Sequence, residues 1–262
     1  TFRNEILPAL AKHGIHLMQS HDYNEQQAAF VKKYFFEKVY PNLHPVHLEA
    51  DKEAPFLKNK GLYFIVAFND SEEGLAIVEI PSGQLPRFVV LPDSENGHYI
   101  TFLDDIIRFN LNNLLDREVK GAYAVKLSRD ADLYIEDEYS GDLVEKIRLS
   151  LAERNVGLPT RFLYDQAMPD EILKQARQAF GLTKNDLIPG ARYHNFNDFF
   201  GFPMPKELPE LQNEPLPPLP HPELEGVPSI IAYLQQQDVM LHFPYQKYEY
   251  VRHLIEEAVE DP

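Results

Sequence analysis

Two β-rich runs decide the fold of this chain: Leu62-Tyr-Phe-Ile-Val-Ala-Phe68 and Leu75-Ala-Ile-Val-Glu-Ile80. Both are dominated by aliphatic and aromatic residues, and the short segment between them, Asn69–Gly74, holds only polar residues and glycine. This pattern predicts a β-hairpin. Three further runs predict strands: Arg87–Leu91, which would extend the meander, Ala122–Leu127 and Arg161–Tyr164.

Helical patterns alternate with these strands. Asn24, with Gln27 three residues later, predicts a capping-box start for a helix that runs to about Tyr40 and ends at Pro41. Apolar residues at helical spacing predict further helices: 2–13, Phe102–Leu115, Tyr139–Arg154 and Pro169–Phe180. Hairpins mixed with helices predict an α+β domain that has a mixed, largely antiparallel sheet with flanking helices.

Composition narrows the classes of function. The chain has 262 residues, is 44% hydrophobic and contains no cysteine, which excludes disulfides, thiolate catalysis and cysteine metal sites. A formal net charge of −16 disfavours non-specific binding of nucleic acid, although a local basic patch stays open. The sequence holds no apolar run of about 18 residues, so we expect no transmembrane segment.

The chain changes character after Phe202. Nine prolines fall between Phe202 and Pro228, which predicts an extended connector. Beyond it, Ser229 begins a helical pattern, Asp238–Tyr245 reads as a strand and Tyr248–Val259 as a helix. This small β–α unit predicts the start of a second domain, and we interpret both ends of the sequence as cuts in a longer protein.

The segment Gly190–Phe200 collects residue types that are common in active sites. It contains Arg192, His194, two asparagines, Asp198 and four aromatic rings. In a functional interpretation, Arg192 binds an anion and His194 moves protons or carries a phosphoryl group. In a structural interpretation, which the physics favours, Tyr193, Phe196, Phe199 and Phe200 anchor the loop while His194 and Asn195 bind loop carbonyls.

Other candidates for chemistry are weaker. Asp130 and Asp132 have a spacing that can chelate a divalent cation, but a solvated acidic run explains them more simply. His44 and His47 bracket Pro45 without a third ligand, and His242 stands at the end of a predicted strand, before Pro244. The sequence contains neither of the glycine-rich phosphate-binding fingerprints and no Gly-x-Ser-x-Gly motif.

Five segments in order along the chain together resemble one family. They are Phe2–Ile6, Glu79–Pro81 through Pro86–Phe88, Leu127–Asp132, Arg192–Phe196 and Asp238–Tyr245. In these segments the chain resembles the bacterial polyphosphate kinases of the phosphohistidine type. The resemblance implies four regions: residues 1–14 as the end of an N-terminal helical domain, 15–210 as a head domain, 211–228 as a proline-rich linker, and 229–262 as the start of a catalytic domain resembling phospholipase D.

The resemblance also implies a function. The whole enzyme would reversibly transfer the terminal phosphate of ATP to polyphosphate, with Mg²⁺ and a phosphohistidine that lies outside this chain. No residue here is then catalytic or binds a cofactor or metal, and Arg87, Arg129, Arg192 and His194 are at most peripheral contacts to an anion. The head domain would form a homodimer, or a higher oligomer. We expect a cytoplasmic protein, with peripheral membrane association as an alternative.

Two other classes of function stay open at this point. One is a non-catalytic interaction module that uses the proline-rich segment. The other is a small metal-dependent hydrolase centred on Asp130, Asp132 and His194, although a general base and a full ligand set are missing from the sequence.

Overall fold

The computed structural model of the protein describes residues 1–48, 54–69, 74–92, 97–129 and 159–260. Two compact units divide the chain, Thr1–Met204 and Pro205–Pro262. The first unit does not separate residues 1–14 from the rest, and the second includes the proline-rich span. The finer domain boundaries drawn from the sequence stay a prediction. Across the described ranges, no helix combines the length and the apolar character needed to cross a membrane.

Strands and helices have the following bounds. The strands are β1 (Ile15–Met18), β2 (Val46–Leu48), β3 (Leu62–Phe68), β4 (Leu75–Glu79), β5 (Phe88–Val90), β6 (His98–Phe102), β7 (Val119–Arg129), β8 (Pro159–Asp165) and β9 (Leu187–Gly190). The α-helices are α1 (Leu7–Lys12), α2 (Glu25–Tyr34), α3 (Leu103–Leu115), α4 (Asp170–Ala179), α5 (Ile230–Leu234) and α6 (Glu249–Glu260). A π-helical turn, Phe2–Ile6, precedes α1.

The predicted hairpin is confirmed and forms part of a six-stranded sheet with the order β2-β4-β3-β7-β8-β9. All pairs are antiparallel except β8–β9, which is parallel. All seven residues of β3 are buried, because the strand is covered on both faces. The mixed, largely antiparallel sheet agrees with the predicted fold class.

The pairing predicted for the third strand of the meander is wrong. Phe88–Val90 is a strand, but it pairs antiparallel with β6 in a separate sheet of order β1-β6-β5. The second edge of β4 is already occupied by β2, so no edge is left beside β4 for a further strand. A turn closed by the Gln84 N–H on the Pro81 carbonyl directs the chain away from β4.

Helices cover both faces of the large sheet. The helix predicted from Asn24 begins with the predicted capping box and ends as π and 3-10 turns through Asn42. Its residues Val31, Phe35 and Val39 are fully buried and pack with α3 on one face. On the other face, α4 packs through Ile172 and Ala176. This two-layered core positions the loop that follows β9.

The second unit is small and contains part of the proline-rich span. Leu219 pairs with Gln246 in an isolated bridge, and the His221 N–H donates to the Tyr250 hydroxyl at 3.0 Å. Leu224 is 3% exposed and belongs to the core of this unit with Tyr250 and Ile230. The span is therefore not an extended connector throughout, since its second half packs against α5 and α6.

The strand predicted at Asp238–Tyr245 is wrong. These residues run without regular structure into a turn at 243–245. A strand needs a neighbour to pair its backbone groups, and Pro244 has no N–H to donate. Within the described part of this unit, the backbone makes only the single bridge at Leu219.

Two predictions cannot be compared with the fold. The helix predicted at Tyr139–Arg154 and the pair Asp130 and Asp132 lie outside the described residues.

Candidate functional site

The segment after β9 folds back over the six-stranded sheet. Gly190 has to be small there, because a Cβ atom would lie 3.0 Å from His194 Cε1 and 3.0 Å from Leu163 Cδ1. Asn195 then takes a left-handed backbone conformation with φ of 69°. Residues Phe196–Gly201 continue as a 3-10 helix. The turn brings the polar side chains of the segment against the sheet and α3.

Arg87 is the centre of the first polar group. Its Nε and Nη2 donate to the two carboxylate oxygens of Asp104 at 2.8 and 2.9 Å, and its Nη1 donates to Asp198 Oδ2 at 2.9 Å. Nη2 also reaches the His194 carbonyl at 3.4 Å. Arg87 is 7% exposed and Asp104 is fully buried. We call Arg87, Asp104, His194 and Asp198 the Arg87 network; its guanidinium is neutralised by two carboxylates.

Asp105 holds the start of the same segment. Arg192 Nη2 donates to Asp105 Oδ1 at 2.8 Å, and the Tyr193 hydroxyl donates to Asp105 Oδ2. Tyr193 also stacks on Phe102 at a centroid distance of 4.1 Å. Burial raises the pKa of the Tyr193 phenol above its usual range, and the charge of Asp105 adds to this effect. The phenol therefore acts as a neutral hydrogen-bond donor.

His194 is placed as a structural residue. It is 4% exposed, and its Nε2 lies 2.9 Å from the Ala124 carbonyl oxygen on β7. Because a carbonyl oxygen only accepts, Nε2 carries the proton of a neutral imidazole. Burial lowers the pKa of His194, which further favours that neutral form. An imidazole in this position is poorly placed to exchange protons with a substrate.

Asn195 connects the loop to β7. Lys126 Nζ donates to Asn195 Oδ1 at 2.8 Å, and Asn195 Nδ2 donates to Asp198 Oδ1 at 2.9 Å. Asp198 is the same carboxylate that binds Arg87. Four of the five polar side chains in the segment, those of Arg192, His194, Asn195 and Asp198, are thus bound to protein partners.

The predicted aromatic anchors divide into two groups. Tyr193 is buried, and Phe199 contacts the rings of Phe2, Phe88 and Phe102 at 4.9 to 5.8 Å. Phe200 is 94% exposed, so its predicted role as an anchor is wrong. In a 3-10 helix neighbouring side chains point about 120° apart, and only one of the two adjacent rings can face the core.

Phe196 lies between these extremes. It is 49% exposed, but its ring meets Phe2 at 5.1 Å and Phe199 at 5.3 Å.

The predicted anion contacts are only partly brought together. Arg87, Arg192 and His194 lie in the contacts just described. Arg129 lies apart from them; its Nε donates to the Leu57 carbonyl at 3.0 Å and its guanidinium covers the ring of Phe56 at 4.1 Å.

Two of the remaining histidine candidates each lie beside an aromatic ring of their own unit. His47 lies on β2 and stacks on Phe68 at 5.9 Å, and His242 lies in an exposed loop of the second unit beside Tyr245.

Sequence reasoning missed the residues that organise the site. Asp104 and Asp105 lie in the first turn of α3, between Leu103 and Ile106, and both carboxylates are fully buried. Acidic residues next to core positions are rarely buried without a partner. Two adjacent aspartates in an apolar helix could therefore have indicated that cations elsewhere in the chain pair with them.

The carboxylates of the site do not fit a divalent cation. Asp104, Asp105 and Asp198 are each bound to a guanidinium group. Among the described residues, no three His, Asp or Glu side chains lie together in a group that could hold a metal ion.

Comparisons with known proteins give consistent results. A family model described as "Polyphosphate kinase middle domain" matches residues 26–202. The polyphosphate kinase of Vibrio cholerae serotype O1 is 36% identical over 269 residues, an alignment that covers 99% of this chain and 38% of that protein. The polyphosphate kinase of Escherichia coli K12 is 30% identical over 270 residues, with 99% and 39% covered.

A solved structure agrees with these relatives. The crystal structure of polyphosphate kinase from Porphyromonas gingivalis matches with a TM-score of 0.72 and 30% identity, over 100% of this chain and 38% of that one. The chain thus spans well under half the length of the relatives that it matches. From the family model, the sequence identity and the shared fold, this chain belongs to the polyphosphate kinase family and contains its middle domain.

Proposed function

We propose that this chain is the head region of a polyphosphate kinase with parts of its two neighbouring domains. In the whole protein, the terminal phosphate of ATP is transferred reversibly to polyphosphate through a phosphorylated histidine that lies outside this chain. The chain itself is a scaffold and a dimerisation region and carries no catalytic residue. Family membership supports the reaction class.

One observation supports the scaffold role most directly. The side chains of the segment 190–200 that could have served catalysis bind protein partners instead. Arg192 pairs with the buried Asp105, and Asp198 binds Arg87. His194 binds a backbone carbonyl of β7. These contacts attach the segment to α3 and to the large sheet at the end of the first unit.

Mg²⁺ and ATP belong to the whole enzyme in this proposal. The carboxylates of Asp104, Asp105 and Asp198 are paired with arginines and do not fit Mg²⁺, so we assign no step of the reaction to residues of this chain. The net charge of −16 supports a protein that does not bind nucleic acid. We place the protein in the cytoplasm, with peripheral association to a membrane as the alternative.

The alternative function, an interaction module built on the proline-rich segment, has less support. Leu216 is 93% exposed within that segment, but residues from Leu219 onward make backbone and core contacts in the second unit. Because of those contacts, part of the proline-rich segment is already packed within the second unit and is not available to a binding partner.

An assay of the isolated chain beside the whole protein tests the proposed reaction. We expect ATP–polyphosphate phosphotransfer by the whole protein and none above a buffer blank by the chain alone. Turnover by the chain that disappears in a variant of its own histidines, such as His194→Gln, would contradict the scaffold role. An inactive whole protein would contradict the reaction itself.

Light scattering tests the proposed dimer. We expect the mass of the chain to approach twice 30.3 kDa as concentration rises. A monomer mass maintained at high concentration would contradict dimerisation through this region.

A further inference from the structure

Three cations of the first unit lie on the same part of the large sheet. Lys126 on β7 pairs with Leu62 on one side and Leu163 on the other. Arg161 on β8 pairs with Ser128, two residues beyond Lys126, so both side chains leave the same face of the sheet. Lys60 precedes β3, and its N–H donates to the Leu127 carbonyl at 2.8 Å. We call Lys60, Lys126 and Arg161 the cationic patch.

These charges lie close enough to influence one another. The pKa of Lys126 is lowered mainly by partial burial and further by the charges of Lys60, Arg161 and Arg87, against the opposing effect of Asp198. The ends of Lys60 and Arg161 are exposed. Among the described residues, neither of these two side chains forms an ion pair or a hydrogen bond. Among the described residues, no ion pair joins a carboxylate to any of these three cations, although the charge of Asp198 acts on Lys126.

Three carboxylates described near the patch are bound to other groups. Asp198 accepts hydrogen bonds from Arg87 and Asn195, and Asp104 accepts both of its bonds from Arg87. Asp165 lies four residues along β8 from Arg161 and accepts from the Ala167 N–H at 3.0 Å. Counting only the part of the chain that the structure describes, the patch therefore keeps an excess of positive charge, whereas the net charge of the whole chain is −16.

We propose that the cationic patch is an oxyanion site that binds successive phosphate groups of a condensed phosphate. Lys126 is held at its centre by Asn195, while the exposed Lys60 and Arg161 approach the anion from its two sides. Arginine contributes a planar pair of donors and lysine a mobile point charge, a combination suited to a flexible polyanion. The oxyanion class rests on the geometry, and the choice of polyphosphate rests on the proposed function.

Calorimetric titration of the chain with tripolyphosphate, orthophosphate and sulfate tests this site. The test variant is Lys60→Asn/Arg161→Gln; asparagine suits Lys60 because that residue has a φ of 62°. The matched control is Lys32→Gln/Lys174→Gln, which removes the same charge from exposed positions on α2 and α4. Thermal unfolding checks that both variants keep the native fold.

We expect the test variant to weaken tripolyphosphate binding by about tenfold or more and to reduce the slope of log affinity against log salt by about two, while the control changes little. Equal losses in the two variants, or no loss in either, would overturn the site.

The proposed function can fail separately from the site. If orthophosphate or sulfate binds the patch as tightly as tripolyphosphate, the oxyanion site stands but its assignment to polyphosphate is overturned. If the whole protein shows no phosphotransfer, the reaction is overturned whatever the calorimetry of the chain shows.

Discussion

The Arg87 network and the cationic patch lie close to each other in the first unit, and their cations have opposite surroundings. In the Arg87 network, the guanidinium is buried and bound by Asp104 and Asp198. In the cationic patch, Lys60 and Arg161 are exposed and, within the described residues, unpaired. The comparison teaches that the chemical identity of a basic residue does not decide its role. The position of the carboxylates does: Asp104 on α3 and Asp198 in the segment 190–200 both bind Arg87.

The largest expected effect comes from removing the buried cation. Arg87→Met leaves the fully buried Asp104 without its two hydrogen bonds, and we expect unfolding to become easier by about 3 to 5 kcal/mol in urea titration. Arg161→Gln, a loss of one cation from the patch, should change stability by less than about 0.5 kcal/mol. Similar losses of unfolding free energy in both variants would contradict the difference described between the buried and the exposed cations.

A second variant tests whether the unpaired buried charge causes this loss of stability. Arg87→Met/Asp104→Asn removes both charges of the buried pair, and it should be more stable than Arg87→Met alone because no buried charge is left unpaired. A double variant that is less stable than the single one would contradict the electrostatic explanation.

The next effect concerns how closely the loop approaches the sheet. Gly190→Ala places a Cβ atom 3.0 Å from His194 and Leu163, and we expect a loss of about 1 to 3 kcal/mol. Gly201→Ala in the same segment is the matched control, since no atom lies within 4 Å of its Cβ position. Differential scanning calorimetry of the two variants should show a lower Tm for the first only; equal Tm values would mean that the loop is not packed as described.

A smaller effect depends on pH. Burial lowers the pKa of His194 below its usual value of 6.5, so the unfolded chain binds a proton that the folded chain resists. The contribution of neutral His194 to the free energy of unfolding is fully present above pH 6.5. It is lost as the pH falls from 6.5 toward the lowered pKa of the folded state. The difference in unfolding free energy between the natural chain and His194→Gln should therefore shrink from pH 7.5 to pH 5.5.

Urea titrations of the natural chain and of His194→Gln between pH 7.5 and pH 5.5 provide the measurement. A pH dependence that survives in His194→Gln would mean that other groups cause it.

The smallest effect is expected at the exposed ring. Phe200 is 94% exposed, and Phe200→Ala should change the free energy of unfolding by less than about 0.5 kcal/mol. Phe199→Ala removes a ring that contacts Phe2, Phe88 and Phe102 and should cost more. Equal effects of the two substitutions in urea titration would contradict the division of the aromatic residues.

Local patterns predicted many elements because their causes are local. The capping box at Asn24, the hairpin strands and the spacing of apolar residues in α3 all depend on neighbours a few residues apart. The pairing of Phe88–Val90 depends on which strand edge is free, a long-range property, and its prediction failed. The strand predicted at Asp238–Tyr245 failed for the same reason, because apolar residues alone do not provide a pairing partner.

The candidate site shows the same division. The structural interpretation predicted loop carbonyls as the partners of His194 and Asn195, whereas the structure pairs His194 with the Ala124 carbonyl of β7 and Asn195 with the side chains of Lys126 and Asp198. The aspartates that complete the site could not be paired with it from sequence, because they lie more than 80 residues away from it along the chain.

By itself, the sequence determined the family, the fold class and most helices and strands, because these follow from motifs in order and from short-range periodicity. Only the tertiary structure decided which charges are neutralised. Packing α3 against the large sheet buries two aspartates, and buried carboxylates must be paired, so Arg87 and Arg192 are bound to them. Lys60 and Arg161 are exposed, and among the described residues neither is paired with a carboxylate.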